Sequence, residues 1–519
     1  MRHAQWRILA NHPGKLLSAS LGLIICAWLV ACGAGVTGGG SPSGPSPAAS
    51  SLTAAEVNLL VQKAAEAADP NTMVIAVVDR AGRILAVWQR PSAPAMAVGN
   101  FGALVDTNEL AVSLARTAAF FSNNQAPLSS RTVRFISGIH FPPGVAFTPN
   151  AALYGIEITN RGCTISSNYI AGKAVPPARN IAGTGPGLGI TTGKFDLNDS
   201  DPDAVNPGGV PLFRDGVVIG GIGVAGVAPE VAEFAAFASA IGNGFGPSPA
   251  PPGVVFIDGI ALPFVNQTTR PGAVGPGSFT GSFVVGPMAS PGPQPEGDLI
   301  APANGPVGGL AASEVRQIIE NAIATANQTR AVIRLPLGSR ARMAIAVADL
   351  DGTIIGLHRM ADSTVFSIDV AAAKARNMVY FNSSSRTAAD LIDVPIGTAV
   401  TSRTINFGAQ PLYPPGIEAP AGPFYNIYAN DVANPCSQGF QPSGPNQSGI
   451  VFFAGSLPLY RGSRLVGGLG ISGDGVEQDD FVAAGGAVGF EAPVGIRADQ
   501  LIVRGARLPY LKFPRNPTE

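Results

Sequence analysis

Apolar residues recur at helical spacing in two similar stretches, LTAAEVNLLVQKAAEAA from Leu52 and LAASEVRQIIENAIATA from Leu310. In the first, Thr53 and Glu56 form a capping box ahead of Val57, Leu60, Val61 and Ala64, which predicts a helix with one buried face. Short continuous apolar runs follow, MVIAVVD from Met73 and MAIAVAD from Met343. Each ends near a glycine, Gly82 or Gly352, as expected of a buried strand entering a hairpin. The alanine-rich stretch from Ile368 to Phe381 predicts a helix lying close against a sheet. Two later hairpins turn at Asp215-Gly216 and Gly462-Ser463, and a helical pattern follows each. LYGIEIT from Leu153 and FYNIYAND from Phe424 read as strands inside long loops.

The same order therefore occurs twice: helix, hairpin, helix, long excursion, hairpin, helix, final strand. SRTVRFISGIHFPPGV from Ser130 answers SRTINFGAQPLYPPGI from Ser402, and VFIDGIALPFV from Val255 answers LIVRGARLPYL from Leu501. Hairpins separated by helices predict an α+β fold of two units, each a mainly antiparallel sheet covered by helices. Unit one spans 52–265 and unit two 310–512, each with a long insertion, and a Gly/Pro-rich linker joins them over 266–309. Unit two is expected to fold from about Gly308 onward. Cys163 and Cys436 occupy equivalent places in the two excursions. Two readings stay open for them, a disulfide at a pseudo-two-fold axis or two free thiols in separate loops.

Gly468, Gly470 and Gly473 spell G-x-G-x-x-G, and Gly221, Gly223 and Gly226 repeat it. A dinucleotide loop needs a helix start free to receive pyrophosphate. Here the following helix opens with Asp474, Glu477, Asp479 and Asp480, and its counterpart with Glu230 and Glu233. Side chains thus already complement the helix dipole. The preceding strands are also second arms of hairpins. The glycines are better read as close packing of strand and helix.

Composition narrows the function. The 519 residues carry a net charge of −1, so no field for nucleic acid exists. Gly (65) and Pro (46) are abundant enough to require long irregular segments. Arg2, Arg7 and Lys15 precede an apolar run from Leu21 to Ala31, too short for a comfortable span, which reads as an export signal over 1–31. Leu29-Val30-Ala31-Cys32 resembles the lipobox of bacterial lipoproteins, which implies Cys32 as a lipid anchor. The alternatives are an uncleaved signal anchor or an ordinary cleavage site. Gly33 in place of an aspartate implies the periplasmic face of the outer membrane. Residues 32–51 read as a flexible tether.

AIAVADLDGTIIGLHRMADSTVFSIDVAAAKA from Ala344, followed by LPLYRGSRLVGGLGISGDGVEQDDFVAAG from Leu457, resembles the GlcG/HbpS family of haem-binding proteins, also seen in the PduO C-terminal domain. Unit two keeps Asp349, Gly352, Arg359, Met360, Ser367, Asp369, Lys374, Gly473, Glu477, Gln478 and Asp479. Unit one departs, with Leu114 for Lys374, Trp88 for His358 and Gln89 for Arg359. The resemblance implies haem or another tetrapyrrole as ligand. Haem needs an apolar slot, an axial donor and cations for its propionates. His358 is then the axial candidate and iron ligand, beside Arg359 and Met360, with Lys374 and Arg376 one helix away. His358 as a plain surface residue on a strand end is the competing reading. His140 reads as a loop residue, and Tyr413 and Tyr460 are further axial candidates. No C-x-x-C-H occurs, so covalent attachment of the usual kind is absent. DLNDSDPDA from Asp196 lacks the glycine and terminal glutamate of a calcium loop and reads as an acidic surface loop.

Together these give a lipid-anchored envelope protein that binds haem or a related tetrapyrrole, with a homo-oligomer or an envelope protein as further partner. No hydrolase or metalloenzyme constellation is visible, so an enzyme is the less favoured reading. The rivals are a ligand-free interaction protein and a haem-degrading enzyme.

Overall fold

The computed structural model describes residues 51–165, 178–201, 203–205, 207–247, 255–293 and 295–519. The expected signal peptide, Cys32 and most of the tether lie outside the described residues.

Thr53 caps α1 (Ala54–Ala67) through the capping box with Glu56, and Val57, Leu60, Val61 and Ala64 form its buried stripe. β1 (Val74–Asp79) and β2 (Ile84–Gln89) pair as a hairpin whose turn uses Gly82 at φ 78°. β3 (Met96–Val98) and β4 (Leu104–Asp106) form a small hairpin before α2 (Thr107–Phe121), which the Asp106 carboxylate caps. After α3 (Ser130–Phe135) and the first excursion come β5 (Gly209–Arg214), β6 (Val217–Ala225) and α4 (Pro229–Gly242). A short hairpin, β7 (Phe256–Ile257) with β8 (Ile260–Ala261), precedes β9 (Ser282–Val285) and β10 (Gly297–Ile300).

The C-terminal half repeats the order with α5 (Ala312–Gln328), β11 (Ala344–Ala348), β12 (Ile354–Arg359) and α6 (Ser367–Asn382). Its excursion holds α7 (Ser402–Gly408) and α8 (Tyr425–Ala433). Then come β13 (Ser456–Arg461), β14 (Arg464–Ser472), α9 (Val476–Gly486) and a last hairpin, β15 (Ile502–Val503) with β16 (Ala506–Arg507).

Two five-stranded antiparallel sheets result, ordered β5-β6-β1-β2-β9 and β10-β12-β11-β14-β13. Read from the other edge, the second has the order of the first. The stretch 266–309, expected as a linker, supplies the fifth strand of both sheets: β9 pairs with β2 and β10 with β12. The expected final strands are instead the two short hairpins, separate from the sheets. Asp258-Gly259 and Arg504-Gly505 have φ between 47° and 81°, and turns with positive φ at both central residues return the chain after two residues.

The two strands expected inside the excursions are also absent. FYNIYAND is α8: its aromatic content suggests a strand, but Ile427, Tyr428 and Asp431 bury one helical face. In LYGIEIT, Gly155 takes φ 86° with Phe452 pressed where a Cβ would stand, and a 3₁₀ turn over Ile156–Ile158 follows.

α1 and α4 pack on the outer face of the first sheet, α5 and α9 on that of the second. α2 and α6 cover the inner faces and share a single core, to which both sheets contribute. The paired glycines make this layer thin. A Cβ on Gly221 or Gly223 would strike the Ala115 or Ala111 carbonyl of α2, and one on Gly468 or Gly470 would strike the Ala375 or Ala371 carbonyl of α6. The G-x-G stretches therefore seat helices on strands. The described residues all belong to one compact unit, and among them no helix is long and apolar enough to cross a membrane.

Candidate functional site

β14 ends at Ser472, and Gly473, Asp474 and Gly475 turn the chain into α9. Asp474 is fully buried and accepts hydrogen bonds from Arg334 Nε and, at 2.7 Å, from the Arg342 N–H. Its carbonyl also accepts the Val332 N–H at 2.9 Å. This ties the 330–342 loop to the start of α9. Between that loop, α9 and the N-terminal half opens a cleft of about 790 Å³, within the usual range of small-molecule sites.

The cleft has apolar lining from both halves: Ile136, Leu153 and Phe256 come from the N-terminal half, and Ile333, Phe366 and Phe453 from the C-terminal half. Arg330, Lys512 and Arg515 stand among the lining residues with Glu477, Gln478 and Asp479. Lys512 Nζ pairs with Glu477 Oε1, and both are solvent-accessible.

Asp479 differs from these. It is 2% exposed, and its Oδ2 lies 3.0 Å from Lys374 Nζ, while its Oδ1 has no hydrogen-bond partner. Lys374 is completely buried, donates to the Ile471 carbonyl at 2.7 Å and stands 4.7 Å from the centre of the Phe453 ring. Burial pushes the Asp479 carboxyl up to about 7 against the pull of the Lys374 ammonium, and burial lowers the ammonium in turn.

The residues expected to gather around an iron do not converge. His358 pairs across the sheet with Ile345, whose side chain belongs to the α5/α9 face, so His358 points away from α6. Its Nδ1 meets Asp298 Oδ1 of β10 at 2.7 Å, and it is not among the residues lining the cleft. Arg359, on the opposite face, is buried and donates to the Ser363 and Pro295 carbonyls. Met360 is buried, and its Sδ accepts the Met343 N–H at 3.4 Å. Arg376 donates to the Gly352 carbonyl at 2.9 Å and to the Thr164 carbonyl at 2.6 Å. Its counterpart Arg116 bonds the Gly82 carbonyl at 2.9 Å, so this arginine braces a turn in both halves. Of the five candidates, only Lys374 touches a cleft residue.

Other candidates are also engaged. His140 is buried with Nδ1 3.0 Å from the Thr148 carbonyl, and Tyr413 donates to the Val503 carbonyl at 2.9 Å. Tyr460 is buried on β13. The acidic loop is partly internal rather than wholly solvated, since Asp199 is buried and accepts the His140 N–H at 2.7 Å. Among the described residues no group of three or more His, Cys, Asp or Glu is placed to hold a metal ion. Cys163 and Cys436 form a disulfide with Cα atoms 5.5 Å apart, joining the two excursions.

Sequence reasoning noted Asp479 but not its task, because its partner lies 105 positions away and its orphan oxygen is a property of packing. A signal did exist in the repeat. Asp480 and Arg403 pair as Glu233 and Arg131 do in the first half, whereas Asp479 and Lys374 face the apolar counterparts Ala232 and Leu114.

The fold is that of a mixed α+β protein with antiparallel sheets and helices on their faces, carrying its cleft at the turn into α9. Residues 310–487 match the family described as Haem degrading protein HbpS-like. Solved structures similar to parts of the chain include the PduOC:heme complex, 23% identical over 36% of this chain and 96% of that one, with a TM-score of 0.23. Protein ORFY of Klebsiella pneumoniae is 18% identical over 36% of this chain and 92% of that one, with a TM-score of 0.23. A double mutant of Streptomyces reticuli HbpS is 19% identical over 34% and 85%, with a TM-score of 0.21. No curated protein matches the chain.

Proposed function

We propose that the chain is a lipid-anchored cell-envelope protein that binds a tetrapyrrole, haem or a relative of haem, in the cleft of its HbpS-like half. The observation that carries this reading is the cleft itself: about 790 Å³, with apolar lining from both halves and with Arg330, Lys512 and Arg515 lining it, at the start of α9. Apolar walls suit the macrocycle, and the cations suit its propionates. The first part of the reading rests on the Leu29–Cys32 tetrapeptide and the tether after it.

Only part of the donor set suits iron. The lining residues include no His, Cys, Met or Tyr, and the carboxylate and amine donors among them are Asp258, Glu477, Asp479 and Lys512. Arg330, Lys512 and Arg515 would hold the propionates of a bound haem, and the apolar lining, Phe256 and Phe453 included, would receive its ring. His358 lies outside that lining.

Titration of the protein with hemin and with protoporphyrin IX tests the proposal by absorbance. Val476 sits in the lining at the first position of α9, partly exposed at the edge of the core, so Val476→Trp adds bulk to the cleft. We expect that variant to weaken binding by about tenfold or more, about 1.4 kcal/mol, and His358→Ala to leave it unchanged. A wild-type protein that takes up neither compound at micromolar concentration overturns the proposal.

A further inference from the structure

The donor set of the cleft also says which tetrapyrrole it suits, an argument that rests on the binding role proposed above. Haem iron is held by His, Cys, Met or Tyr, and the lining supplies none of these. It supplies instead a buried acceptor. Asp479 Oδ1 has no partner in the structure, and the one cation beside the carboxylate, Lys374, is already shared between Asp479 Oδ2 and the Ile471 carbonyl. A buried acceptor without a donor is unfavourable, and a ligand that brings an N–H relieves it.

The fold does not need this pair. In the N-terminal half the same helix seats on the same strand with Ala232 and Leu114 at these positions, both fully buried. The ion pair one residue further on is different: Arg131–Glu233 and Arg403–Asp480 occur in both halves. The repeated pair therefore braces structure, and the unrepeated pair belongs to the half with the cleft. Other charges around Asp479 are Asp474 and Asp480, each engaged by an arginine, and Glu477, engaged by Lys512.

We infer that Asp479 accepts hydrogen bonds from the pyrrole N–H groups of a metal-free, open-chain tetrapyrrole, and that the cleft prefers such a bilin to haem. An open-chain tetrapyrrole turns several N–H groups toward one acceptor. In haem the iron has replaced the inner N–H protons, so the ring offers Asp479 no donor. The apolar lining accepts either ligand; the Asp479 acceptor discriminates.

The experiment measures dissociation constants of the full chain for biliverdin, protoporphyrin IX and hemin by absorbance titration. Biliverdin should bind at least about tenfold more tightly than hemin. Asp479→Ala should remove that preference by weakening biliverdin about tenfold while leaving hemin within about twofold. Because Asp479→Ala leaves Lys374 buried without its partner, the double variant Lys374→Leu with Asp479→Ala is measured beside it, as it reproduces the pair found in the N-terminal half. Equal affinities for hemin and biliverdin, or a biliverdin affinity unmoved in both variants, overturns the inference and leaves tetrapyrrole binding standing. Stronger binding of protoporphyrin IX than of biliverdin overturns the open-chain assignment. Failure of all three compounds to bind overturns the inference together with the function it rests on.

Discussion

The rings of Phe121 and Phe366 stack in parallel with their centroids 4.1 Å apart. Phe121 closes α2 and Phe366 precedes α6, so one aromatic pair joins the helices that line the two sheets. The backbone follows the same seam, with the Val365 N–H donating to the Phe120 carbonyl at 3.0 Å. Sequence reasoning expects a C-terminal unit that folds from about Gly308. Such a chain lacks β10, which pairs with β12, and exposes the inner face of α6, almost every residue of which is buried. We expect it to aggregate or to show an unfolded far-UV spectrum. In the full chain, Phe121→Ala and Phe366→Ala should each destabilise by about 3–5 kcal/mol. A double-mutant cycle should show coupling of about 0.5–1.5 kcal/mol. A soluble, cooperatively unfolding protein starting at Gly308 would disprove the shared core.

The Cys163–Cys436 bond joins positions separated by 273 residues. Chain entropy alone assigns such a loop on the order of 5 kcal/mol, as an upper figure. Cys163→Ser should therefore lower the denaturation midpoint of the oxidised protein and leave that of the reduced protein nearly unchanged. Non-reducing peptide mapping should recover one cross-linked peptide. Recovery of both cysteines alkylated without prior reduction contradicts it.

Two buried carboxyls make stability depend on pH in an unusual direction. Burial pushes Asp369 and Asp479 from an ordinary 3.8 up to about 7. A carboxyl raised on folding binds more protons in the native state, so its contribution is full below the unfolded value and is lost as pH rises through the folded one. These two groups therefore make the protein less stable as pH rises from about 4 to about 7. Asp369 is bonded to Asn160 of the other half, and Asp369→Asn keeps the acceptor oxygen while removing the titration. Thermal unfolding across this range should show a shallower decline in that variant; an unchanged slope would exclude Asp369 as a contributor.

If Cys32 is the acylated residue, as the proposed lipid anchor requires, Cys32→Ala should release the protein from membranes or block its processing. Incorporation of labelled fatty acid to the same level without Cys32 rules out the anchor.

The α1 cap, the β1–β2 and β13–β14 hairpins and the packing role of the paired glycines were legible from local pattern, since each depends on neighbours a few residues apart. The edge strands β9 and β10 were not. Their stretch has the Gly and Pro content of a linker, and they become strands only because β2 and β12 present open edges. α8 was misread for a related reason: Tyr425 and Tyr428 favour a strand locally, but Tyr428 is held by Tyr154 and Phe452 around it.

The candidate site divides in the same way. Sequence by itself placed the HbpS-like blocks, the glycines before α9 and the acidic run from Glu477 to Asp480, because motifs and period are written in order along the chain. Only the tertiary structure separated His358 from Lys374, turning them to opposite faces of one sheet, since a face depends on register with β11 rather than on identity. It alone closed the cleft, whose walls come from residues as distant as Ile136 and Phe513. It alone left Asp479 Oδ1 without a donor, for whether a buried oxygen is paired depends on every neighbour that packing brings to it.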